Sequence, residues 1–338
     1  MLLAAIVAVV LSSSAAATAL AASASAKGSA KGDSATKGTL GRGELGKNKD
    51  FSGLVDIGGG REIYMECRGK GSPTVVLVSG FRGAHDDWTH VIDSGGEPKP
   101  SRSAVFPKVG EFTRVCAYDR PGTTRLDGTI SPSTPVRQPT SAQDGAADLH
   151  ALLGAAKQKG PYVIVAHSWG GLIGRLYAST YPDEVSGLVL LDPGSEFLQD
   201  TLTPAQWAFF VRGAKQKGNP KTLEAADYRP SVRALSAAPP VRGIPAVVLS
   251  ADKCWFVFPG FDAKATCSAW LEAQDQLAAH LNAKHVTHTQ SGHFIQGENP
   301  KLVIDSIRQV VGAARNKSCG LGSKNHAQRV KAEQHARQ

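Results

Sequence analysis

Val163-Ile164-Val165-Ala166-His167-Ser168-Trp169-Gly170-Gly171-Leu172 runs from an apolar stretch into a serine and straight on into small residues that open a helical pattern. The first half is continuously apolar, which suits a strand covered on both faces, and helical spacing follows from Gly170 to Tyr181. The residues at −2 and +2 from Ser168 are Ala166 and Gly170, so no bulky side chain crowds the turn between strand and helix. Such a turn lifts the serine hydroxyl above the sheet edge. The helix that starts behind it offers unpaired N–H groups and the positive end of its dipole to a developing oxyanion. Ser168 is therefore a candidate nucleophile.

Outward from this stretch, strand-like segments recur at 54–57, 62–67, 74–79, 114–118, 162–166, 187–191, 246–250 and 285–289. Helical stretches lie between and after them at 143–156, 170–181, 268–282 and 300–314. Strand alternating with helix predicts an α/β fold: a mostly parallel eight-stranded sheet flanked by helices. No internal repeat is visible. The gap between Pro193 and Gly243 is too long for an ordinary connection and predicts a small helical cap at about 195–243, above the carboxyl ends of the strands. Its Trp207, Phe209 and Phe210 either line a substrate pocket or form the cap's own core.

The two ends read differently from the body at 51–312. Residues 1–26 combine a short apolar run with Ala24-Ser25-Ala26, the pattern of a secretory signal peptide. Residues 27–50 are mostly Gly, Ser, Ala and Lys and predict a flexible basic linker, and 313–338 predict a basic C-terminal tail. The net charge of +9 is spread over 338 residues, and both basic ends read first as solvated tethers, with weak contact with an anionic cell envelope as the alternative. No basic-aromatic motif points to nucleic acid. P-loop, H-E-x-x-H and C-x-x-C signatures are missing, and no apolar run of membrane-spanning length follows the N-terminus. Five cysteines in an exported chain imply disulfides with at least one thiol left over. Cys254 and Cys267 are close in one loop-like stretch and form the first expected pair; Cys67 and Cys116 fall in strand-like segments that can face each other.

An imidazole near its natural pKa is the usual base for a serine hydroxyl. His293, in Ser291-Gly292-His293-Phe294, follows the last strand-like segment at a glycine-containing turn, which brings it to the same sheet edge as Ser168. His285 and His288 are three apart in a strand and leave opposite faces, which weakens a metal site with His293. His167 must point away from the serine hydroxyl and reads as a support. Asp192 and Asp252 each end a strand, and either can complete the triad.

Over about 54–312 the chain resembles the α/β-hydrolase superfamily. The landmarks are Leu77-Val78-Ser79-Gly80-Phe81, Tyr118-Asp119-Arg120-Pro121-Gly122, the Ser168 turn, Leu191-Asp192-Pro193 and Ser291-Gly292-His293-Phe294, in that order. Two departures stand out: Ala166 where glycine is usual, and Ser79 where histidine often precedes the glycine. The resemblance implies an exported serine hydrolase that cleaves carboxylic esters through a Ser-His-Asp triad and an acyl-enzyme, with a small-molecule ester or amide as substrate and neither metal nor organic cofactor. It implies Ser168, His293 and Asp192 as the triad, with Asp252 as the alternative acid, and the backbone N–H groups of Phe81 and Trp169 as the oxyanion hole. Trp88, Trp255, Phe256, Phe258 and Phe261 are pocket or core aromatics, and Asp119 with Arg120 a turn-anchoring pair. The alternatives are an iminopeptidase-like amide hydrolase, for which Glu196, Asp200 and Glu224 would have to bind an amine, and a non-catalytic binding protein on the same fold.

Overall fold

The structure, a computed structural model, describes residues 49–215 and 223–335, with side chains as far as 317. The expected signal peptide, nearly all of the expected linker and the side chain of Cys319 lie outside the described residues.

In chain order the strands are β1 (Phe51–Gly58), β2 (Arg61–Arg68), β3 (Thr74–Val78), β4 (His90–Ile92), β5 (Pro98–Pro100), β6 (Val115–Asp119), β7 (Tyr162–His167), β8 (Val185–Leu191), β9 (Ala246–Leu249) and β10 (Lys284–Val286). The helices are α1 (Val105–Val109), α2 (Ala142–Ala155), α3 (Trp169–Thr180), α4 (Leu198–Thr201), α5 (Pro204–Lys215), α6 (Tyr228–Ala237), α7 (Ala263–His280), α8 (Ile295–Glu298) and α9 (Pro300–His335). Eight strands form one sheet in the order β1-β2-β6-β3-β7-β8-β9-β10. β1 and β2 form a hairpin turned by Gly58, Gly59 and Gly60, all at positive φ, where a side chain would be strained. β2 runs antiparallel to β6, and every pair beyond that is parallel. All eight expected strand segments enter this sheet. The last is shorter than expected, so His288 falls beyond β10.

The unalternating strands are apolar because both sheet faces are covered. Val76, Val78, Ile164, Ala166, Leu188 and Leu190 enter one core layer with residues of α2, α3, α6 and α7. Their neighbours Val75, Leu77, Val163, Val165, Val189 and Leu191 enter a second layer with residues of α1 and α9. Successive side chains leave a strand on opposite faces, so a strand between two helical layers has no polar side.

The connection between β8 and β9 carries α4, α5 and α6, the helical cap expected there. Its end is tied back to the body where Thr140 bridges Ala226. The last helix does not stop near 314; α9 continues to His335 through the stretch expected to be a tail. No proline follows Pro300, and 10 of the 21 residues from 315 to 335 are Ala, Lys, Arg, Gln or Glu. Polarity removes a buried face but leaves good helix formers. Disulfides join Cys67 to Cys116 and Cys254 to Cys267. The first links directly paired residues of β2 and β6; the second closes the loop between β9 and α7.

Candidate active site

β7 ends at His167 and α3 begins at Trp169, leaving Ser168 alone in the turn at φ 52° and ψ −122°. A non-glycine residue at positive φ is uncommon and is held only by its surroundings. Here the Ser168 N–H donates to the Leu191 carbonyl (3.1 Å), and the Ser168 carbonyl accepts from Gly171 (2.8 Å) and Gly194 (2.9 Å). The small neighbours are steric requirements. A methyl group on Gly170 would lie 2.5 Å from the Val78 carbonyl oxygen and 2.6 Å from that of Ser79. A methyl group on Gly80 would lie 2.6 Å from His167 Nδ1 and 3.1 Å from Ser168 Cβ. The extra methyl of Ala166 is accommodated because Gly174 faces it from α3, where a second methyl would come within 3.1 Å.

His293 Nε2 lies 2.9 Å from Ser168 Oγ, and His293 Nδ1 lies 2.6 Å from Asp192 Oδ2. An ionised carboxylate only accepts, so Nδ1 carries the proton and Nε2 is the acceptor for the serine hydroxyl. Asp192 is fully buried, while Ser168 and His293 are 7% and 9% exposed. His167 turns away from the serine, as expected. Its Nε2–H donates to the His293 carbonyl (2.9 Å), and its Nδ1 accepts from Gln296 Nε2 (3.3 Å). Burial, and next the neighbouring His293, hold the His167 pKa well below the usual 6.5. His167 is thus a neutral bracket for the loop that carries His293.

The structure does not bring Asp252 to His293. Its two carboxylate oxygens accept the backbone N–H groups of Gln290 and Ser291, each at 2.9 Å. Asp252 shapes the turn before His293, with both of its oxygens accepting from that turn. Lys253 reaches Glu298 (3.2 Å) rather than Asp252, and Glu298 in turn accepts from the Gly292 N–H. His285 is engaged by Ser250 (2.7 Å) and Asp275 (3.0 Å). Among the described residues, no group of three or more His, Cys, Asp or Glu side chains is arranged to hold a metal ion.

Trp255, which the sequence placed in a pocket or a core, and Trp270, which sequence reasoning passed over, both sit on the acid–base pair. Trp255 Nε1–H donates to Asp192 Oδ2 (2.6 Å) and Trp270 Nε1–H to Asp192 Oδ1 (2.8 Å). The Trp255 ring also stacks on the His293 imidazole, with centroids 3.6 Å apart. Trp88 is fully buried and donates to Ser79 Oγ (2.8 Å), so it lines no pocket. From Trp169 next to Ser168, ring contacts pass through Tyr228 and Phe210 of the cap to Phe256, Trp255 and His293. Phe209 packs on Phe258 and Phe261, and Trp207 on Phe210 and Tyr228. The cap aromatics therefore form a core shared with the loop after β9.

On the other flank, Ser79 Oγ donates to the Ala84 carbonyl (2.7 Å) while accepting from Trp88. Ser79 thus ties the loop on both sides, to Ala84 and to Trp88. Arg120, buried, donates to the Ser79 and Gly80 carbonyls (2.8 and 2.5 Å) and pairs with Glu224 at 2.6 Å. Glu224, between α5 and α6 of the cap, also accepts the Arg82 N–H (2.5 Å). Asp119 and Arg120 do not pair with each other: Asp119 takes His85 and Arg125. No local pattern links Arg120 to a glutamate 104 residues away. Phe81 follows Gly80 against Ser168. The Trp169 N–H is the first of α3, where no intrahelical carbonyl is within register.

This sheet, its cap and the serine turn define an α/β-hydrolase-fold protein, and the family model for the alpha/beta hydrolase fold matches residues 73–236. The chain is 31% identical over 167 residues to an uncharacterized protein of Schizosaccharomyces pombe, spanning 45% of this chain and 30% of that protein. It is 31% identical over 126 residues to the uncharacterized protein YqjL of Bacillus subtilis, 37% of this chain and 42% of that one. The chain thus spans well under half the length of these curated relatives. A thermophilic esterase from Thermogutta terrifontis shares the fold at a TM-score of 0.50 and 18% identity, over 79% of this chain and 99% of the esterase.

Proposed function

We propose that the protein is an exported serine hydrolase that cleaves carboxylic esters of small molecules. The observation that carries this reading is the unbroken line from Ser168 Oγ to His293 Nε2 (2.9 Å) and from His293 Nδ1 to Asp192 (2.6 Å). In this reading His293 takes the Ser168 proton as Oγ attacks the ester carbonyl. The Phe81 and Trp169 N–H groups receive the oxyanion, and Asp192 holds the imidazole tautomer and balances the imidazolium. His293 then protonates the departing alcohol, leaving an acyl-Ser168. Next it takes a proton from water, whose oxygen attacks the acyl carbon, and returns a proton to Ser168 as the acid is released.

The amide-hydrolysing alternative requires free carboxylates for a substrate amine. Glu196 is already paired with Arg175, Glu224 with Arg120, and Asp200 is exposed on the surface. A non-catalytic binder would have no use for three aligned polar groups at a strained turn. Export is supported by the apolar leader and by two disulfides, which persist in oxidising compartments.

The test is turnover of nitrophenyl esters of graded acyl length, with Ser168→Ala alongside. Hydrolysis by the parent and a loss of about a thousandfold or more in the variant supports the reading. Equal background rates with a folded parent overturn it.

A further inference from the structure

Asp192 carries more donors than a triad acid needs in order to orient one histidine. Oδ1 accepts from the Ala251 N–H (3.1 Å) and Trp270 Nε1–H (2.8 Å), and Oδ2 from Trp255 Nε1–H and His293 Nδ1–H, both 2.6 Å. A fully buried carboxylate must be satisfied by such donors, and two of the four here are neutral indole groups. Indole donors on both oxygens leave the carboxylate no freedom to rotate about Cβ–Cγ. The Trp255 face, stacked on His293, meets the imidazole as it becomes a cation.

The two indoles come from different segments. Trp255 lies in a stretch with neither strand nor helix, and Trp270 lies within α7. Cys254 immediately precedes the first, and Cys267 stands one helical turn before the second. The Cys254–Cys267 bond therefore staples the loop that bears one donor to the helix that bears the other. The Cys67–Cys116 bond is of another kind. Both its residues are fully buried, within paired strands that the sheet already holds together.

We infer that Trp255 and Trp270 are positioning residues that align Asp192 with His293, and that the Cys254–Cys267 bond keeps them in place. The inference rests on the serine-hydrolase reading above. Catalytic efficiency then depends on the outer disulfide.

The experiment measures kcat and KM for nitrophenyl butyrate, and the rate at which a fluorophosphonate labels Ser168, across a set of variants. Trp255→Phe and Trp270→Phe keep an aromatic ring and remove the N–H with the rest of the five-membered ring; Cys254→Ser with Cys267→Ser removes the staple. Each is made in the parent and in Asp192→Asn. The expected result is a kcat loss of roughly 10–100-fold for each Trp→Phe change, the size of a lost hydrogen bond to a charged group, with KM within about twofold of the parent. Serine labelling slows in parallel, and the staple variant loses kcat in the same manner. In the Asp192→Asn background the same changes cost little more, because they act through that carboxylate.

Parental kcat in both Trp→Phe variants overturns the proposal, as do losses that simply add to that of Asp192→Asn. Either result leaves the serine mechanism standing as long as Ser168→Ala is inactive and Asp192→Asn keeps only the residual rate, about 10⁴-fold below the parent, against which the double variants are measured. Full activity in Ser168→Ala is the separate result that removes the mechanism itself. Should the staple variant fail to fold, the two Trp→Phe variants decide the matter alone.

Discussion

The loop from Ser79 to Ala84 and the loop that carries His293 both border Ser168, and they are held by different chemistry. The first hangs from a buried ion pair: Arg120 grips the Ser79 and Gly80 carbonyls, and Glu224, carried by the cap, neutralises it. The second is held by the neutral His167 N–H on the His293 carbonyl and by the Asp252 carboxylate, which accepts the N–H groups of the turn before His293, while neutral indoles donate to Asp192. The difference follows from what each flank must do. In the proposed reaction the loop after β3 has to present backbone N–H groups, so a cation can fasten its carbonyls. Around His293 a fixed cation would compete with the imidazolium for Asp192, and neutral donors solvate the carboxylate without that competition.

This contrast can be broken at several points. The largest effect is expected from exchanging the two aspartates' roles: Asp192→Asn lowers kcat by about 10⁴-fold, as in other triads that lose the correct tautomer. Asp252→Asn loses tenfold or less, because it touches only the turn; steady-state kinetics of both variants on one ester check this. Next is Arg120→Met, which leaves Glu224 buried without its partner and destabilises the fold by about 3–5 kcal/mol. Denaturant unfolding reads this loss, and Arg120→Met with Glu224→Leu should recover part of it. Ser79→Ala is smaller: the buried Trp88 N–H loses its acceptor, at about 1–3 kcal/mol in the same assay.

The smallest effect concerns pH. The folded protein keeps His167 neutral, whereas the unfolded chain takes up a proton there as pH falls through about 6.5. The stability this group contributes is therefore complete above that pH and is lost as pH falls toward the lowered folded value. Thermal unfolding between pH 7.5 and 5 should show a shallower decline in His167→Gln than in the parent. Identical slopes would mean that His167 is not held neutral by burial.

Much of this was legible along the chain. The unalternating apolar runs identified a two-faced sheet, because a covered strand has no polar side to display. The strand–Ser168–helix turn and the glycine-flanked His293 are local patterns, since backbone sterics at a tight turn restrict the residues immediately beside it. Asp192 and Asp252 remained open alternatives because both end strands, and which one meets His293 depends on how the loops after β8 and β9 cross. The tail shows the opposite limit: its polar composition spoke of exposure, while α9 continues on backbone hydrogen bonds that need no apolar face.

What the sequence determined by itself was therefore everything carried by local sterics and by periodicity: the layered sheet, the cap between β8 and β9, the serine turn and the histidine that follows the last strand. Tertiary structure alone decided the partners. Arg120 and Glu224 are 104 residues apart, and Trp270 reaches Asp192 across 78. A buried charge or donor must be satisfied by whatever the fold brings beside it, and no spacing along the chain encodes that proximity.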